Sequence, residues 1–174
     1  VNPGEKIRIA GKFESSRLNL MEIFPPRKEP RPAPESQAAL FSNDPISVDW
    51  LQKFDLDATL QADDLVSRGF EAKGLSTDIA VADGVLDISA RSGEFSGGTF
   101  RMDIGLNTKT IPYDTHFGFD IKGLVLNRVP ALEDVKLPLE GAVDVEIDLS
   151  GKGVSTKEIV STASGSLLAR GVNT

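Results

Sequence analysis

Apolar and polar residues alternate along much of the chain, with the period of two that is typical of strands with one buried and one wet face. The clearest runs are residues 54–60, 100–106, 117–121 and 142–149. In the last of these, Val143, Val145 and Ile147 are separated by acidic residues. Weaker alternation over 6–13, 70–81, 86–90 and 165–170 raises the expected number of strands to about seven or eight.

Short connections separate these runs. Asp83-Gly84 is a strong hairpin signal because glycine permits the positive φ that tight turns require. Ser92-Gly93 and Gly97-Gly98 predict two further turns. Short helices are expected near residues 48–51 and after Ser155, where Ser155-Thr156-Lys157-Glu158 matches a capping box. We therefore predict a mainly β fold: a curved antiparallel sheet, shaped like a groove or half-barrel, with one or two short helices.

A proline-rich tract divides the chain. Residues 25–34 hold five of the ten prolines, and proline is excluded from helix and sheet interiors. The predicted organisation is the end of a preceding β unit over 1–24, a proline-rich loop or linker over 25–44, and an antiparallel β domain over 45–174. A ligand for proline-recognition domains is the less favoured interpretation of the tract.

The amino-acid composition disfavours several classes of binding partner. The formal net charge of -7 and a pI near 4.8 argue against nucleic acid and against simple adsorption to anionic headgroups. The absence of cysteine excludes disulfides, thiolate catalysis and cysteine-ligated zinc. No apolar run approaches the roughly 20 residues that span a bilayer, so membrane contact is expected only through parts of the protein outside this chain.

No pattern of reactive residues predicts catalysis. His116 is the only histidine, lies on the polar side of a predicted strand and has no accompanying Gly-x-Ser-x-Gly nucleophile. Asp144, Glu146 and Asp148 share one face of a strand, where they are expected to be solvated rather than wrapped around a cation. The segment 151–156 lacks the Gly-Lys-Ser/Thr order of a phosphate loop and instead predicts a turn followed by a helix cap. We predict no catalytic, cofactor-binding or metal-binding residues.

The broad apolar side of the later strands stands out instead. A sheet face must be covered by something, and a large face left open is usually an interaction site. The face is therefore either covered by a short helix or by the sheet curling on itself, or it lines a groove for an acyl chain or a neighbouring domain. The residues assigned to it are Phe100, Met102, Ile104, Phe117, Phe119, Ile121, Val143, Val145 and Ile147.

An ordered set of segments over residues 45–170 resembles the C-terminal region of AsmA-like proteins. It comprises the strand 54–60, residues 75–79 leading to Asp83-Gly84, the turn-rich stretch 92–99, Leu139-Glu140-Gly141, the run 148–153 and Gly165-Ser166-Leu167. The resemblance extends distantly to TamB-like bridge proteins. It implies that 45–174 is an AsmA-like domain truncated at its C-terminal end.

The resemblance also implies a location and a role. The parent protein would be anchored in the inner membrane, with its bulk in the periplasm, and would act in outer-membrane biogenesis without enzymatic activity or cofactors. The nine apolar residues would then line a groove that binds or conducts lipid, with phospholipid acyl chains and outer-membrane assembly proteins as partners. The alternatives are a purely structural or protein-binding β domain of the envelope and, less favoured, an unrecognised periplasmic hydrolase.

Overall fold

A computed structural model describes residues 6–23, 41–67, 70–129 and 141–172, which form a single eight-stranded sheet. The strands are β1 (Ile7–Asn19), β2 (Phe54–Ser67), β3 (Phe70–Ala82), β4 (Val85–Phe95), β5 (Gly98–Asn107), β6 (Tyr113–Val125), β7 (Ala142–Gly153) and β8 (Ser164–Val172). The described residues also include two short α-helices, α1 (Leu20–Ile23) and α2 (Thr156–Thr162), and two 3-10 helices, Asp49–Gln52 and Leu126–Arg128. The predicted mainly β class with short helices is confirmed.

The strands follow one another in chain order across the sheet, and β1 and β8 are its two edges. Every neighbouring pair is antiparallel except β1 and β2, which run parallel with Ile7 opposite Phe54. This parallel pair was not predicted. A parallel pair needs a long crossover connection, and the residues between β1 and β2 supply that length. Most of the predicted linker 25–44 lies outside the described residues, and the predicted domain boundaries stay predictions.

The tight turns follow from residues with positive φ. Asp83 (φ 50°) and Gly84 (φ 77°) join β3 to β4, as the hairpin signal predicted. Ser96 (φ 48°) and Gly97 (φ 85°) join β4 to β5, one residue earlier than predicted. The turn predicted at Ser92-Gly93 is wrong, because these residues lie inside β4 at a shift of register.

Several strands carry irregularities at a similar level of the sheet. The register of strand pairing shifts by one residue between Lys73 and Ser76 in β3, between Ala90 and Gly93 in β4, and between Ile121 and Leu124 in β6. An extra residue of this kind bends a strand and re-aims the side chains beyond it. The apolar residues on both sides of each shift therefore stay on the same face, as Ile121 and Leu124 do in β6 while Lys122 is exposed.

Ion pairs fix the start of β1 to its neighbours. The Lys6 Nζ atom lies 2.5 Å from the Asp83 carboxylate in the β3–β4 turn and 3.6 Å from the Asp55 carboxylate in β2. The hydrogen bond from Lys6 lowers the pKa of Asp83, and the same bond raises the pKa of Lys6. Both charges lie near the surface, so these contacts help to position the start of β1 but contribute little to the free energy of folding.

The helix start predicted at Ser155 is confirmed, and Glu158 bonds the residue before the N-cap instead of the N-cap itself. Ser155 accepts a hydrogen bond from the Glu158 N–H at 3.2 Å, and the Glu158 carboxylate accepts one from the Val154 N–H at 3.0 Å. The turn predicted just before the cap is wrong, because Gly151 to Gly153 complete β7. Helix α2 folds back along these residues, with the Thr162 hydroxyl donating to the Lys152 carbonyl at 2.6 Å.

Candidate functional site

The strand register brings all nine predicted apolar residues to one side of the sheet, which we call the apolar face. Phe100, Ile121 and Val145 are directly opposite one another on β5, β6 and β7. Met102, Phe119 and Ile147 form the next row, Ile104 and Phe117 the row after it, and Val143 lies opposite Leu124. The face is thus a set of cross-strand rows rather than separate strands.

The apolar face extends over the earlier strands, beyond the nine residues predicted from the sequence. The row that contains Ile104 and Phe117 crosses six strands, and its members are Ala58, Ile79, Ile88, Ile104, Phe117 and Leu149. The alternation in β2, β3 and β4 signals these residues, but only the register shows that they join the same row.

One side of the apolar face is packed with aromatic rings. The Phe70 and Phe95 rings stack with centroids 4.6 Å apart, and Phe100 lies 6.0 Å from Phe119 and 6.4 Å from Phe70. We call these four residues the aromatic cluster. Phe100 is 5% exposed and Ile121 is 1% exposed, so these two predicted contact residues lie within the packing. The other seven are half-buried and offer surface.

A segment of the chain covers the other end of the apolar face, away from the aromatic cluster. Residues 42–52, which we call the strap, run from the β7–α2 junction to the start of β2, so they cross the ends of the intervening strands. Val48 and Leu51 of the strap pack on Val81, and Leu51 has no exposed surface. The half-buried side chains around them are Ile46, Leu56, Leu86, Leu106 and Tyr113.

Between the strap and the aromatic cluster lies a strip that belongs mostly to neither packed region. Ile79, Ile88, Ile104 and Phe117 are half-buried and join neither of the hydrophobic clusters formed by the described residues. Leu149 at the β7 end of the same row is 37% exposed. This central strip is an apolar surface several strands wide, and we take it as the candidate functional site.

The opposite face of the sheet is polar and charged. His116 is exposed there, as are Glu146 and Asp148 on β7. Asp78 pairs with Arg91 across β3 and β4, and Asp114 pairs with Lys152 at 2.8 Å. In the described ranges no group of three or more histidine, cysteine or acidic side chains is arranged to hold a metal ion.

A depression of about 530 Å³ on this polar face is lined in part by Asp87, Asp114, His116, Ser150 and Lys152. His116 and Ser150 are cross-strand neighbours, yet within the part of the chain that the structure describes the imidazole makes no side-chain hydrogen bond. The residues are therefore not connected as a nucleophile and its base. Across the described residues, no helix has the length and apolar character needed to cross a membrane.

These features define an open-sheet β protein whose candidate site is a continuous apolar surface. The family model described as the AsmA family matches residues 27–169, and the chain belongs to the AsmA family. The resemblance found in the sequence is thereby confirmed. The family is associated with the cell envelope and with outer-membrane biogenesis, and it is not known as enzymatic. No curated protein and no solved structure matches the chain.

Proposed function

We propose that this chain is a non-enzymatic periplasmic module of an inner-membrane-anchored AsmA protein, and that it binds phospholipid acyl chains along its apolar face. The observation that carries the proposal is the central strip, which keeps large apolar side chains half-exposed between two packed regions. Membership of an envelope-biogenesis family supports the choice of lipid as the ligand.

The dimensions of the strip suit an acyl chain. The strip from Ile79 to Leu149 crosses five strands, and strands are about 4.8 Å apart, so the strip extends about 19 Å. A bilayer core of about 30 Å contains two acyl chains end to end, so one chain extends about 15 Å. The strip is long enough for one chain to lie within it.

The chemistry of the strip suits the same ligand. An acyl chain makes no hydrogen bonds, so its binding is favoured by burial of apolar area at about 25 cal/mol per Å². The row presents only aliphatic and aromatic side chains, whereas the charged residues are on the opposite face. The headgroup would remain in solvent at an edge of the strip.

A charge placed on the strip tests the proposal. Phe117→Glu puts a carboxylate where an acyl chain would lie, and burying that charge under hydrocarbon is costly. We expect the amount of phospholipid that co-purifies with the protein, measured by native mass spectrometry, to fall at least tenfold.

The matched control is His116→Glu, which adds the same carboxylate one residue away on the exposed polar face. This variant is expected to retain lipid at the level of the unchanged protein. Circular dichroism establishes that both variants are folded. Equal lipid content in the two variants, or a loss in His116→Glu alone, contradicts the proposal.

A structural or protein-binding role is the second candidate, and the two edge strands favour it. Ile7 and Phe13 on β1 are 65% and 58% exposed, and Leu167 on β8 is 70% exposed. Exposed apolar edge strands are suited to pairing with a strand of another protein, such as an outer-membrane assembly protein. A folded protein that co-purifies with no lipid favours this second candidate.

A further inference from the structure

The strap occupies part of the surface that the proposed lipid ligand would use. Val48 and Leu51 pack on Val81, within the row that also contains Leu56, Leu86 and Leu106. This row is directly beside the row of Ile104 and Phe117 in the central strip. The strap is therefore an internal apolar occupant of the apolar face.

Hydrogen bonds hold the strap at its beginning. The Ser42 N–H donates to the Thr156 hydroxyl at 3.0 Å, and the Ser42 carbonyl accepts from the Lys157 N–H at 3.1 Å. The Ile46 N–H donates to the Val154 carbonyl at 2.8 Å. At its other end the strap continues directly into β2. Both ends are thus fixed independently of the apolar contact.

The middle of the strap is held differently. The hydrogen bonds of residues 47–53 among the described residues are local: Leu51 N–H to Val48 carbonyl at 2.9 Å, Lys53 N–H to Trp50 carbonyl at 3.1 Å, and Trp50 Nε1 to Ser47 carbonyl at 3.0 Å. These bonds survive if the segment lifts as a unit. What holds it on the sheet is the burial of Val48 and Leu51, which is the non-directional contact that an acyl chain also makes.

We propose that the middle of the strap, residues 47–52, is a displaceable lid that competes with an acyl chain for the apolar face. This inference rests on the proposed lipid-binding function and adds a regulatory element to it. When the lid is docked, the accessible surface is the central strip alone. When it lifts between its two fixed ends, the row of Leu56, Val81 and Leu106 is added to that surface.

Competition has a quantitative consequence. If the lid-open form binds an acyl chain more tightly than the docked form, because two rows of side chains contact the chain instead of one, lipid binding tightens as the open fraction rises. A substitution that weakens docking of the lid without altering the sheet should therefore tighten lipid binding. Leu51→Ala is such a substitution, because Leu51 belongs to the strap and not to a strand.

The test uses lysophosphatidylethanolamine with a 16-carbon chain as the probe, and Trp50 as the reporter. Trp50 is the only tryptophan, lies in the lid and is 40% exposed. We expect added probe to increase the quenching of Trp50 fluorescence by acrylamide, because the lid leaves the sheet. We also expect Leu51→Ala to bind the probe at least fivefold more tightly by isothermal titration calorimetry. The control Leu168→Ala changes an exposed leucine that lies opposite Glu146 on the polar face, and it should bind the probe unchanged.

The failures of the two proposals are distinguishable. Probe binding with no change in Trp50 quenching and no tightening in Leu51→Ala overturns the lid and leaves the lipid site standing. Weaker binding by Leu51→Ala also overturns the lid, since the docked strap would then contribute to the binding site. Absence of probe binding to both proteins overturns the lipid site and the lid together.

Discussion

Leu51→Ala is expected to lower the free energy of unfolding by about 2–5 kcal/mol, the usual cost of removing a fully buried leucine side chain. Leu51 has no exposed surface and packs where the strap meets β3. The loss combines the transfer free energy of the removed atoms with the cavity that remains. This loss cannot exceed the free energy that docking of the strap contributes, because the smaller side chain has no further effect once the strap has left the sheet.

The matched control is Leu167→Ala, the same chemical change at a side chain that is 70% exposed on edge strand β8. We expect this variant to lose less than about 1 kcal/mol, as surface substitutions usually do. Urea titrations followed by tryptophan fluorescence and circular dichroism measure both values. Equal and small losses in the two variants would show that the strap does not pack on the sheet.

Gly98→Ala should be the second severe substitution, with an expected cost of about 2–3 kcal/mol from overpacking. A methyl group at Gly98 would lie 2.8 Å from the Leu124 nitrogen and 2.8 Å from the Lys122 oxygen. Both atoms belong to the β6 backbone around Gly123, where the strand is irregular and φ is 72°. Backbone atoms paired on both sides in a sheet cannot move aside as a flexible side chain can.

Gly105→Ala on the same strand is the comparison. A methyl group there meets the Asp87 and His116 side chains at 3.6 and 3.7 Å, which is ordinary van der Waals contact. Since glycine in a strand interior costs roughly 0.5–1 kcal/mol relative to alanine, we expect this variant to be unchanged or slightly more stable. Thermal and urea unfolding of the pair check the difference, and a stable Gly98→Ala would contradict the described packing of β5 on β6.

Much of the sheet could be predicted because the information is local. Alternation of apolar and acidic residues over 142–149 specifies a strand with one wet face, and β7 contains that segment. Asp83-Gly84 specifies a tight turn through backbone conformations that few residues adopt, and the turn is there. Ser155 and Glu158 specify a helix start through hydrogen bonds within four residues.

The predictions fail where the same residues are compatible with two local structures. Ser92-Gly93 favours a turn, but glycine also suits an irregular strand. Here the Phe100 ring lies where a Gly93 side chain would be, and β4 continues past the site. The parallel pairing of β1 with β2 could not be predicted, because it depends on a contact between segments joined by a long connection. Nothing in the residues near Ile9 specifies Leu56 as the partner.

The candidate site was predicted in part. The alternation assigned the correct side chains of β5, β6 and β7 to one face, since a period of two fixes the side of each residue. The strap could not be predicted, because residues 46–51 carry only three large aliphatic side chains and show no periodicity that would indicate which surface they contact. Its position depends on hydrogen bonds between Ser42 and Thr156, which are distant in the chain.

The most direct test of acyl-chain binding on the apolar face is photo-crosslinking in bacterial cells. Benzoylphenylalanine is placed at Phe119 or Val145 on the apolar face, and at His116 or Asp148 on the opposite face as controls. Lipid adducts are detected by mass spectrometry of the purified protein, with a known lipid carrier as the positive control. We expect phospholipid adducts at Phe119 and Val145 and none at His116 and Asp148. Absence of adducts at both apolar positions, with adducts in the positive control, would contradict acyl-chain binding on the apolar face.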